Sequence, residues 1–210
     1  MKKKQLLFFL LVITSFSFAQ KTNEVRASMG IDFISSPSLK TYLESNFTDQ
    51  LSSFVSAVNF SGSYGRMISS VDQVEIELGY LINSFNSQAI DGIYNLDYSI
   101  VMPSVLYYYV VSGNGYNFKF GGGAGVRFLS ATEKLPADAN NYNYSTTGFG
   151  LILRAAGNTA ISQDVYAYIS ADMRYDQLKE PAPSNESNVL GNVNFNSLSF
   201  GVKLGISYQF

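Results

Sequence analysis

The feature that most constrains this chain is an alternation of apolar and polar residues that recurs in eight segments. In the most regular segment, residues 198–210, every second residue is apolar, and Ser, Gly, Lys or Gln stands between them. A period of two places successive side chains on opposite faces of a β-strand. We therefore predict an all-β chain whose strands are apolar on one face. The eight segments cover residues 24–33, 54–65, 74–83, 95–111, 117–128, 148–155, 165–174 and 198–210.

The connections between these segments are alternately short and long. Short ones lie at residues 69–73, 112–115 and 161–164, and longer polar ones at 35–52, 84–94, 130–147 and 176–192. Membrane barrels have this arrangement, with tight turns at one rim and projecting loops at the other. The pattern predicts an eight-stranded, antiparallel up-and-down transmembrane β-barrel with both termini at the tight-turn rim. Ten strands are the alternative if the first long connection, or the fourth segment with its Pro103, contains another hairpin.

The polar faces of the strands carry few charges, and those charges have both signs. Only 14% of the chain is charged, which is less than a soluble surface usually has. We therefore expect the apolar faces to contact lipid and the polar faces to line the lumen. The alternative is the inverse arrangement, a soluble periplasmic ligand carrier of the lipocalin type. Aromatic residues near the segment ends are expected to form girdles at the membrane interfaces; they are Tyr64, Tyr98, Tyr108, Phe118, Phe128, Tyr208 and Phe210.

The first 19 residues have the features of a cleaved secretory signal. Lysines at positions 2–4 precede an apolar stretch over residues 6–13, and a small-x-small site ends at Ala19. We predict Sec-type export, with a signal peptide at 1–19 and one barrel domain at 20–210. There is no Cys for acylation or disulfides, and no later stretch has the roughly 18 consecutive apolar residues of a spanning helix. The mature chain would have 11 basic and 16 acidic residues, so no nucleic acid partner is expected.

The last segment ends with Phe210 and has an aliphatic or aromatic residue at every second place before it. With the signal and the eight segments, it resembles the small outer-membrane β-barrel proteins of Gram-negative bacteria, the eight-stranded OmpA/OmpX-like superfamily. This resemblance implies a place in the cell outer membrane, contact with its lipid and lipopolysaccharide, and recognition of Tyr208 and Phe210 by the barrel-assembly machinery. The lysine-rich start, the Tyr- and Asn-rich loops and Gln20 are similar to Bacteroidetes examples. No single activity is implied, because the superfamily includes adhesion, structural and complement-resistance proteins and a few enzymes.

The charges of the polar faces are expected to pair inside the barrel. Arg154, Asp172 and Lys203 are predicted at similar heights on the last three strands, across the lumen from Glu75 and Glu77. The carboxylates would bridge Arg154, Lys203 and either Arg26 or Lys119, because an unpaired charge there costs several kcal/mol. Such side chains fill an eight-stranded lumen, which favours a closed barrel over a selective pore or a proton relay. The full predicted network contains Arg26, Glu75, Glu77, Lys119, Arg127, Arg154, Asp172, Arg174 and Lys203.

We expect no catalysis, metal or cofactor. The chain has no His, the base that barrel enzymes generally use with Ser or Asp, and Glu75 and Glu77 could act on a sugar only if one entered the lumen. The glycine-rich residues 121–125 are predicted to lie in a strand, where inward glycines relieve crowding, rather than in a phosphate loop. The aspartates assigned to loops lack the spacing of a calcium site; they are Asp91, Asp97, Asp138 and Asp176.

The first long connection is predicted to contain a short helix. Ser38 can cap it, and Leu39, Tyr42 and Leu43 fall on one side at helical spacing. We expect a lid over the barrel mouth or on the membrane surface, with partner recognition as the alternative.

The leading functional hypothesis is a structural or surface-interaction role for a monomeric outer-membrane barrel. Its long extracellular loops would bind an extracellular protein or glycan, since loops on a rigid scaffold commonly carry function. The loop at residues 137–147 is rich in Asn and Tyr, which suit either kind of partner. The alternatives are a narrow channel or secretion-system accessory barrel, and the soluble carrier.

Overall fold

The computed structural model describes residues 22–46, 55–89, 92–136, 140–180, 182–183 and 193–210. The expected signal peptide lies outside these ranges, so its cleavage stays a prediction. The described part of the chain contains no helix long and apolar enough to cross a membrane. Its elements are β1 (Asn23–Ser35), α1 (Pro37–Asn46), β2 (Val55–Met67), β3 (Asp72–Ala89), β4 (Gly92–Gly113), β5 (Tyr116–Lys134), β6 (Asn141–Ala160), β7 (Val165–Leu178), β8 (Ala182–Pro183) and β9 (Ser197–Gln209).

Eight of the strands form a closed antiparallel barrel. β1 to β7 pair in chain order, and β9 pairs with both β7 and β1 to close the wall. The two-residue strand β8 pairs only with β6 and is not part of the closed wall. The predicted eight-stranded up-and-down barrel is confirmed. The ten-stranded alternative is wrong for the described residues, because the fourth segment is one continuous strand and the first long connection contains α1.

Both described ends of the chain lie at the rim with the tight turns, as expected. Asn23 and Phe210 exchange backbone hydrogen bonds of 2.9 and 3.0 Å. The turns at residues 68–71, 114–115 and 161–164 lie at the same rim. Gly115 has φ +79° in the second of these turns, a left-handed conformation that favours glycine.

The barrel wall is taller on one side. β3 to β6 have 18 to 22 residues, whereas β1, β2, β7 and β9 have 13 or 14. β3 stops pairing with β2 at Ile82, and β6 pairs with β7 only from Gly148 onward. The upper ends of the four long strands therefore form a sheet beyond the rest of the barrel, which we call the wall extension. It consists of residues 83–89, 92–99, 130–134 and 141–147.

The wall extension corrects two predicted loops. Residues 84–94 and 130–147 are mostly strand, with β3 paired to β4 as far as Ala89 and Gly92, and β5 paired to β6 from Lys134 and Asn141. Their outward residues are polar except for Ile93, so the contrast in hydropathy that identified the other strands is absent there. Asp97 accordingly lies on β4, not in a loop, while Asp91 and Asp138 lie outside the described residues.

The two faces of the wall differ in polarity in the predicted sense. Ile76, Leu153 and Leu204 point outward and are 61%, 63% and 60% exposed. Arg26 and Glu75 point inward and are buried, as are the other charged residues predicted for the lumen. This arrangement is the inverse of a soluble carrier, whose apolar faces would enclose a ligand.

Strand β4 is the one whose register the sequence left least defined. Its even-numbered residues point inward, and Pro103 lies on the outward face. The missing N–H of Pro103 interrupts the ladder to β5 between Val101 and Ser104, while pairing to β3 continues. Tyr98 and Tyr108 are therefore inside and buried, so their predicted place in the aromatic girdles is wrong.

Strand β5 contains glycine where it runs closest to β4. Residues 121–125 lie within this strand, as predicted. A Cβ atom on Gly121, Gly123 or Gly125 would meet the backbone of β4. These glycines let the two strands approach and leave room for long inward side chains.

Helix α1 packs onto the upper end of the lumen. It begins at Pro37, and Lys40 N donates to Ser36 O at 2.9 Å, so Ser38 lies inside the helix and is not its cap. Leu39 and Leu43 are buried, and we call the group to which they belong the upper apolar cluster. It comprises Ile34, Leu39, Leu43, Ala57, Leu81, Tyr94, Leu96, Tyr98, Ile100, Met102, Leu129, Ala131, Tyr144, Leu178, Val193 and Phe195.

Candidate functional site

The middle of the lumen contains ion pairs that cross from one wall to another. Arg26 on β1 donates to Glu75 on β3 at 2.5 and 3.0 Å and to Glu77 at 3.2 Å. Arg154 on β6 donates two hydrogen bonds to Glu77, at 2.6 and 2.9 Å. It donates two more to Asp172 on β7, at 2.8 and 2.9 Å. Two guanidinium groups thus join strands that are not neighbours in the wall.

Two lysines complete this group. Lys203 lies 3.1 Å from Asp172, and Lys119 binds Glu24. Tyr168 lies beneath Arg26, whose guanidinium carbon is 4.2 Å from the centre of the tyrosine ring. We call the eight charged residues the central cluster; they are Glu24, Arg26, Glu75, Glu77, Lys119, Arg154, Asp172 and Lys203.

A second group of ion pairs lies above the central cluster, and we call it the upper ionic cluster. Arg127 donates to Asp176 at 2.5 Å, and Arg174 donates to Asp176 at 2.6 Å and to Asp32 at 2.9 Å. Asn59 donates to the same oxygen of Asp32 at 2.7 Å. This group contains two basic and two acidic residues, and the central cluster contains four of each, so each cluster balances its own charge.

The structure places all nine residues of the predicted lumen network inside the barrel, in two clusters instead of one. Of the two alternatives predicted for these carboxylates, the structure shows Arg26, which binds Glu75 and Glu77, whereas Lys119 binds Glu24 instead. Sequence reasoning missed Glu24, Asp32 and Asp176 as members. Asp176 was assigned to a loop, which is wrong because β7 continues to Leu178. The signal for it was its spacing of two and four residues from Arg174 and Asp172.

A cavity of about 80 Å³ lies at the tight-turn rim, against the lower edge of the central cluster. Glu24, Gln73 and Lys119 are among its lining residues. Glu24 Oε1 and Gln73 Oε1 have no hydrogen-bond partner among the described residues. The cavity is large enough for a few water molecules. The central cluster lies between it and the upper lumen.

A buried carboxylate that sequence reasoning also missed lies in the wall extension. Glu133 on β5 is 0% exposed and accepts hydrogen bonds from the hydroxyls of Tyr42 at 2.9 Å, Tyr94 at 2.8 Å and Tyr144 at 3.1 Å. The three tyrosines belong to α1, β4 and β6. Glu133 could have been found from its even spacing along β5 from Lys119 and Arg127.

The residues predicted for a lid helix lie together on the inner side of α1. Leu39 and Leu43 enter the upper apolar cluster, and Tyr42, partly buried, binds Glu133 between them. Burial and the neighbouring Glu133 carboxylate raise the pKa of Tyr42 well above its ordinary value. The cluster also has members from β1, β3, β4, β5 and β7, so α1 covers the upper mouth of the barrel.

The outward faces of the four long strands change from apolar to polar at one height. The continuous apolar runs end at Ile82, Val101, Phe128 and Phe149, and the next outward positions are Ser84, Ser99, Ser130 and Thr147. Above this change, Ile93 is the one apolar outward residue among those whose exposure is described. The register keeps the change within one outward position on neighbouring strands. Val101 pairs with Phe128, while Ile82 pairs with Ser99 and Phe128 with Thr147. On β5 the apolar outward run extends from Phe118 to Phe128, which matches the roughly 9–11 residues that a tilted strand needs to cross a bilayer.

The residues predicted as an assembly signal lie at the tight-turn rim. The rings of Tyr208 and Phe210 are stacked, with their centroids 5.7 Å apart. Tyr208 pairs with Val25 across the closing seam of the barrel. Their recognition by the assembly machinery stays a prediction.

The chain matches no family model and no curated protein sequence. Its fold is similar to that of Ail, the attachment invasion locus protein of Yersinia pestis, in complex with the heparin analogue sucrose octasulfate, at 13% identity and a TM-score of 0.53 over 90% of this chain and 99% of that chain. It is also similar to a major outer membrane protein from Thermus thermophilus, at 12% identity and a TM-score of 0.54 over 90% and 99%. The outer membrane protease OmpT from Escherichia coli is similar at 8% identity and a TM-score of 0.52 over 94% and 99%.

These similarities concern the fold. They confirm the resemblance to bacterial outer-membrane β-barrels at that level, and the source organisms give no support to the Bacteroidetes likeness. The three neighbours include a protease, so the fold by itself does not distinguish an enzyme from a barrel without catalysis.

Proposed function

We propose that this chain, which has the fold of the outer-membrane β-barrels, is an integral outer-membrane protein that binds an extracellular partner through its wall extension, while its lumen stays closed. The observation that carries the proposal is the aligned change from apolar to polar on the outward faces of β3 to β6. An apolar belt of bilayer height, followed on the same strands by a polar sheet, suits a barrel that continues beyond the lipid. The tight-turn rim then faces the periplasm, and α1 and the wall extension face the medium.

Apart from the exposed Ile93, the outer face of the wall extension consists mainly of uncharged hydrogen-bonding groups. Asp97 and Lys134 are its charged members among the described residues. A polysulfated ligand such as the one bound to Ail would require several cations, and this face offers one. We therefore expect a partner rich in hydroxyl or amide groups, either a glycan or a protein. The uncharged polar outward residues are Ser84, Asn86, Asn95, Ser99, Ser130, Thr132, Asn141, Asn143, Ser145 and Thr147.

A closed lumen follows from what fills it. The central cluster, the upper ionic cluster and the upper apolar cluster occupy successive levels between the two rims. The cavity at the periplasmic rim favours the channel alternative, but the central cluster lies directly above it. We expect planar bilayers that contain the purified protein to give no steady conductance. Sustained, ion-selective single-channel currents would favour the channel.

We also propose that the protein is not an enzyme. Glu75 and Glu77, the carboxylates closest to a catalytic pair, are both held by arginines in the lumen. The chain has no His to act as a base. OmpT shows that the fold accommodates proteolysis, so the proposal depends on these residues and not on the fold.

Fractionation of the expressing cells tests the membrane location. The protein is expected to stay in the outer-membrane fraction through a high-salt wash and to be released by detergent. The unboiled, detergent-extracted protein should migrate differently on a gel from the boiled protein, because closed barrels resist unfolding by detergent. Release by salt alone would contradict the proposal and restore the soluble alternative.

Photo-crosslinking in intact cells tests the interaction surface. A photoreactive residue at Asn143, on the outer face of the wall extension, is expected to capture an extracellular protein or a glycan. The same residue at Leu153, on the same strand within the apolar belt, is the matched control and should capture lipid. Capture of extracellular material at neither Asn143 nor Ser99, in cells shown to display the protein, would contradict an interaction role for this face.

A further inference from the structure

The apolar belt has an open groove of about 490 Å³ on its outer surface, over β6 and β7. Its floor contains the small outward residues Ala155, Gly157 and Ala171. A small residue alone does not leave such a space, since a Cβ on Gly122 of β5 would already meet the side chain of Leu153 at 3.0 Å. Over Ala155 and Ala171 the neighbouring side chains leave the space open. None of the described residues that line the groove carries a charge.

Two phenylalanines of β5 form a ridge along one side of the groove, and Val202 of β9 lies at its other side. Phe118 and Phe120 are 48% and 52% exposed, so about half of each ring can contact another molecule. Phe120 pairs with Ala155, and Ala155 pairs in turn with Ala171. The ridge is therefore directly beside the floor on neighbouring strands, and the two overlap in height along the barrel.

The orientation of the chain in the membrane limits how two copies can meet. Both copies would be inserted in the same direction, so a two-fold axis that relates them must run along the membrane normal. Rotation about such an axis leaves every height unchanged and brings the two outer surfaces face to face, with left and right exchanged. The ridge of each copy then lies opposite the groove of the other, so the surface is complementary to itself.

We propose that this groove and ridge form the contact surface of a symmetric dimer, in which Phe118 and Phe120 of each copy enter the groove of the other. The inference goes beyond the proposed function and takes from it only the position of the apolar belt in the bilayer. Because lipid tails are as apolar as the side chains, association in lipid depends on close packing, which small residues at an interface permit. A phenylalanine side chain has two rotatable bonds, and so it fills a groove at a lower cost in conformational entropy than a flexible acyl chain does. In place of the monomer expected from the sequence, the membrane would then contain a unit of two barrels.

Energy transfer between labelled copies in phospholipid vesicles measures the association. The natural chain has no Cys, so Asn114→Cys, in the tight turn before β5, can carry a donor dye in one sample and an acceptor dye in another. We expect more transfer than random proximity gives, and a loss of it when unlabelled protein is added in excess. Ala171→Phe fills the floor of the groove and should raise the dissociation constant about tenfold or more, because the two-fold axis repeats each lost contact. Ala27→Phe makes the same change in the belt on β1, outside the groove, and should leave the dissociation constant unchanged.

Disulfide formation tests which faces of the two barrels meet. Ala155 lies beside the ridge and close to the proposed two-fold axis, so Ala155→Cys should link two copies when the membranes are oxidised. Ile76→Cys, at an exposed belt position on β3, should not link them. Phe120→Ala removes half of the ridge and is a second variant for the energy-transfer measurement. Gel migration before and after boiling verifies that each variant is folded.

Three results would overturn the dimer. They are energy transfer no greater than random proximity gives, a dissociation constant unchanged in both Ala171→Phe and Phe120→Ala, and equal linking of Ala155→Cys and Ile76→Cys. A purified monomer that retains a phospholipid in the natural chain but not in Ala171→Phe would also overturn it and assign the groove to an acyl chain. Each of these outcomes leaves the proposed function intact as long as the protein stays in the membrane through a salt wash. Release by salt would instead contradict the position of the belt in the bilayer, on which both proposals depend.

Discussion

Arg154 on β6 and Glu77 on β3 bind each other across the lumen through two hydrogen bonds of 2.6 and 2.9 Å. Backbone ladders connect only neighbouring strands, so this pair joins walls that the sheet does not join directly. Arg154 also binds Asp172, and it is 4% exposed. The central cluster therefore acts as a set of cross-braces whose removal leaves charges buried without partners.

Substitution of Arg154 by Met tests this role. In this variant Glu77 and Asp172 still have Lys203 as an ion-pair partner, and Glu77 still has Arg26. The buried central cluster, however, then has one more acidic residue than basic residues. Breaking a buried ion pair from one side typically costs about 3–5 kcal/mol, and we expect a loss of that size in the free energy of unfolding. Urea titration of the folded form, followed by gel migration of unboiled samples, measures it. Lys134→Met, which removes an exposed cation of the wall extension, should stay within about 0.5 kcal/mol of the natural chain, and equal losses in both variants would contradict the prediction.

Charge reversal at Asp172 should have a larger effect. Asp172→Lys places an ammonium group beside Arg154 and Lys203, whose nitrogens lie 2.8 and 3.1 Å from the natural carboxylate. We expect most of this variant to remain unfolded under conditions in which Asp172→Asn still folds, because the amide retains the size of the side chain without the repulsion. The folded fraction after dilution from urea into detergent micelles measures the difference. Folding of Asp172→Lys to the natural extent would argue against a packed ion network.

The sequence predicts the membrane part of the wall well, because there every residue faces either lipid or the lumen and the two require opposite polarity. In the wall extension the outward residues need not be apolar and the inward residues need not be polar. Asn143 and Ser145 face water, and Tyr144 between them packs into an apolar cluster, so the sequence has the composition of a loop although it forms a strand. The alternation also predicts which face of the wall a charged residue occupies, but not its height along the barrel axis. That height depends on the combined register of all eight strands. The sequence therefore did not predict that Lys119 pairs with Glu24.

The glycines of β5 provide a test of the close approach between β4 and β5. A Cβ at Gly123 would meet the backbone of Val105 and Leu106, which the ladder prevents from moving away. Gly123→Ala is expected to lower the free energy of unfolding by about 1–3 kcal/mol through overpacking. Gly62→Ala is the control, because the nearest atom to its Cβ is Arg26 O at 4.0 Å. Urea midpoints that shift equally in the two variants would be inconsistent with a steric role for Gly123.

Phe210 tests whether assembly and stability can be separated. Its ring stacks on Tyr208, a contact of about 0.5–1.5 kcal/mol beyond its buried area, so Phe210→Ala should destabilise the purified barrel only modestly. If the terminal aromatic pair is read by the assembly machinery, the amount of this variant in the outer membrane should fall far more than its stability does. Quantitative blotting of membrane fractions, compared with urea titration of the purified variant, gives both values. A membrane level that falls only in proportion to stability would remove the need for a recognition signal.

Leu204 and Asn143 test where lipid ends on the outward face. Leu204 lies in the apolar belt on β9, and Asn143 lies above the aligned change in polarity on β6. Arginine at the level of the bilayer midplane costs a barrel about 2–4 kcal/mol, and close to the interface about 0–1 kcal/mol. We therefore expect Leu204→Arg to lower the unfolding free energy in lipid vesicles by the larger amount and Asn143→Arg by almost nothing. Because the lumen is untouched in both, a loss at Leu204 alone assigns the effect to lipid. Equal tolerance at the two sites would mean that the belt does not lie in a bilayer.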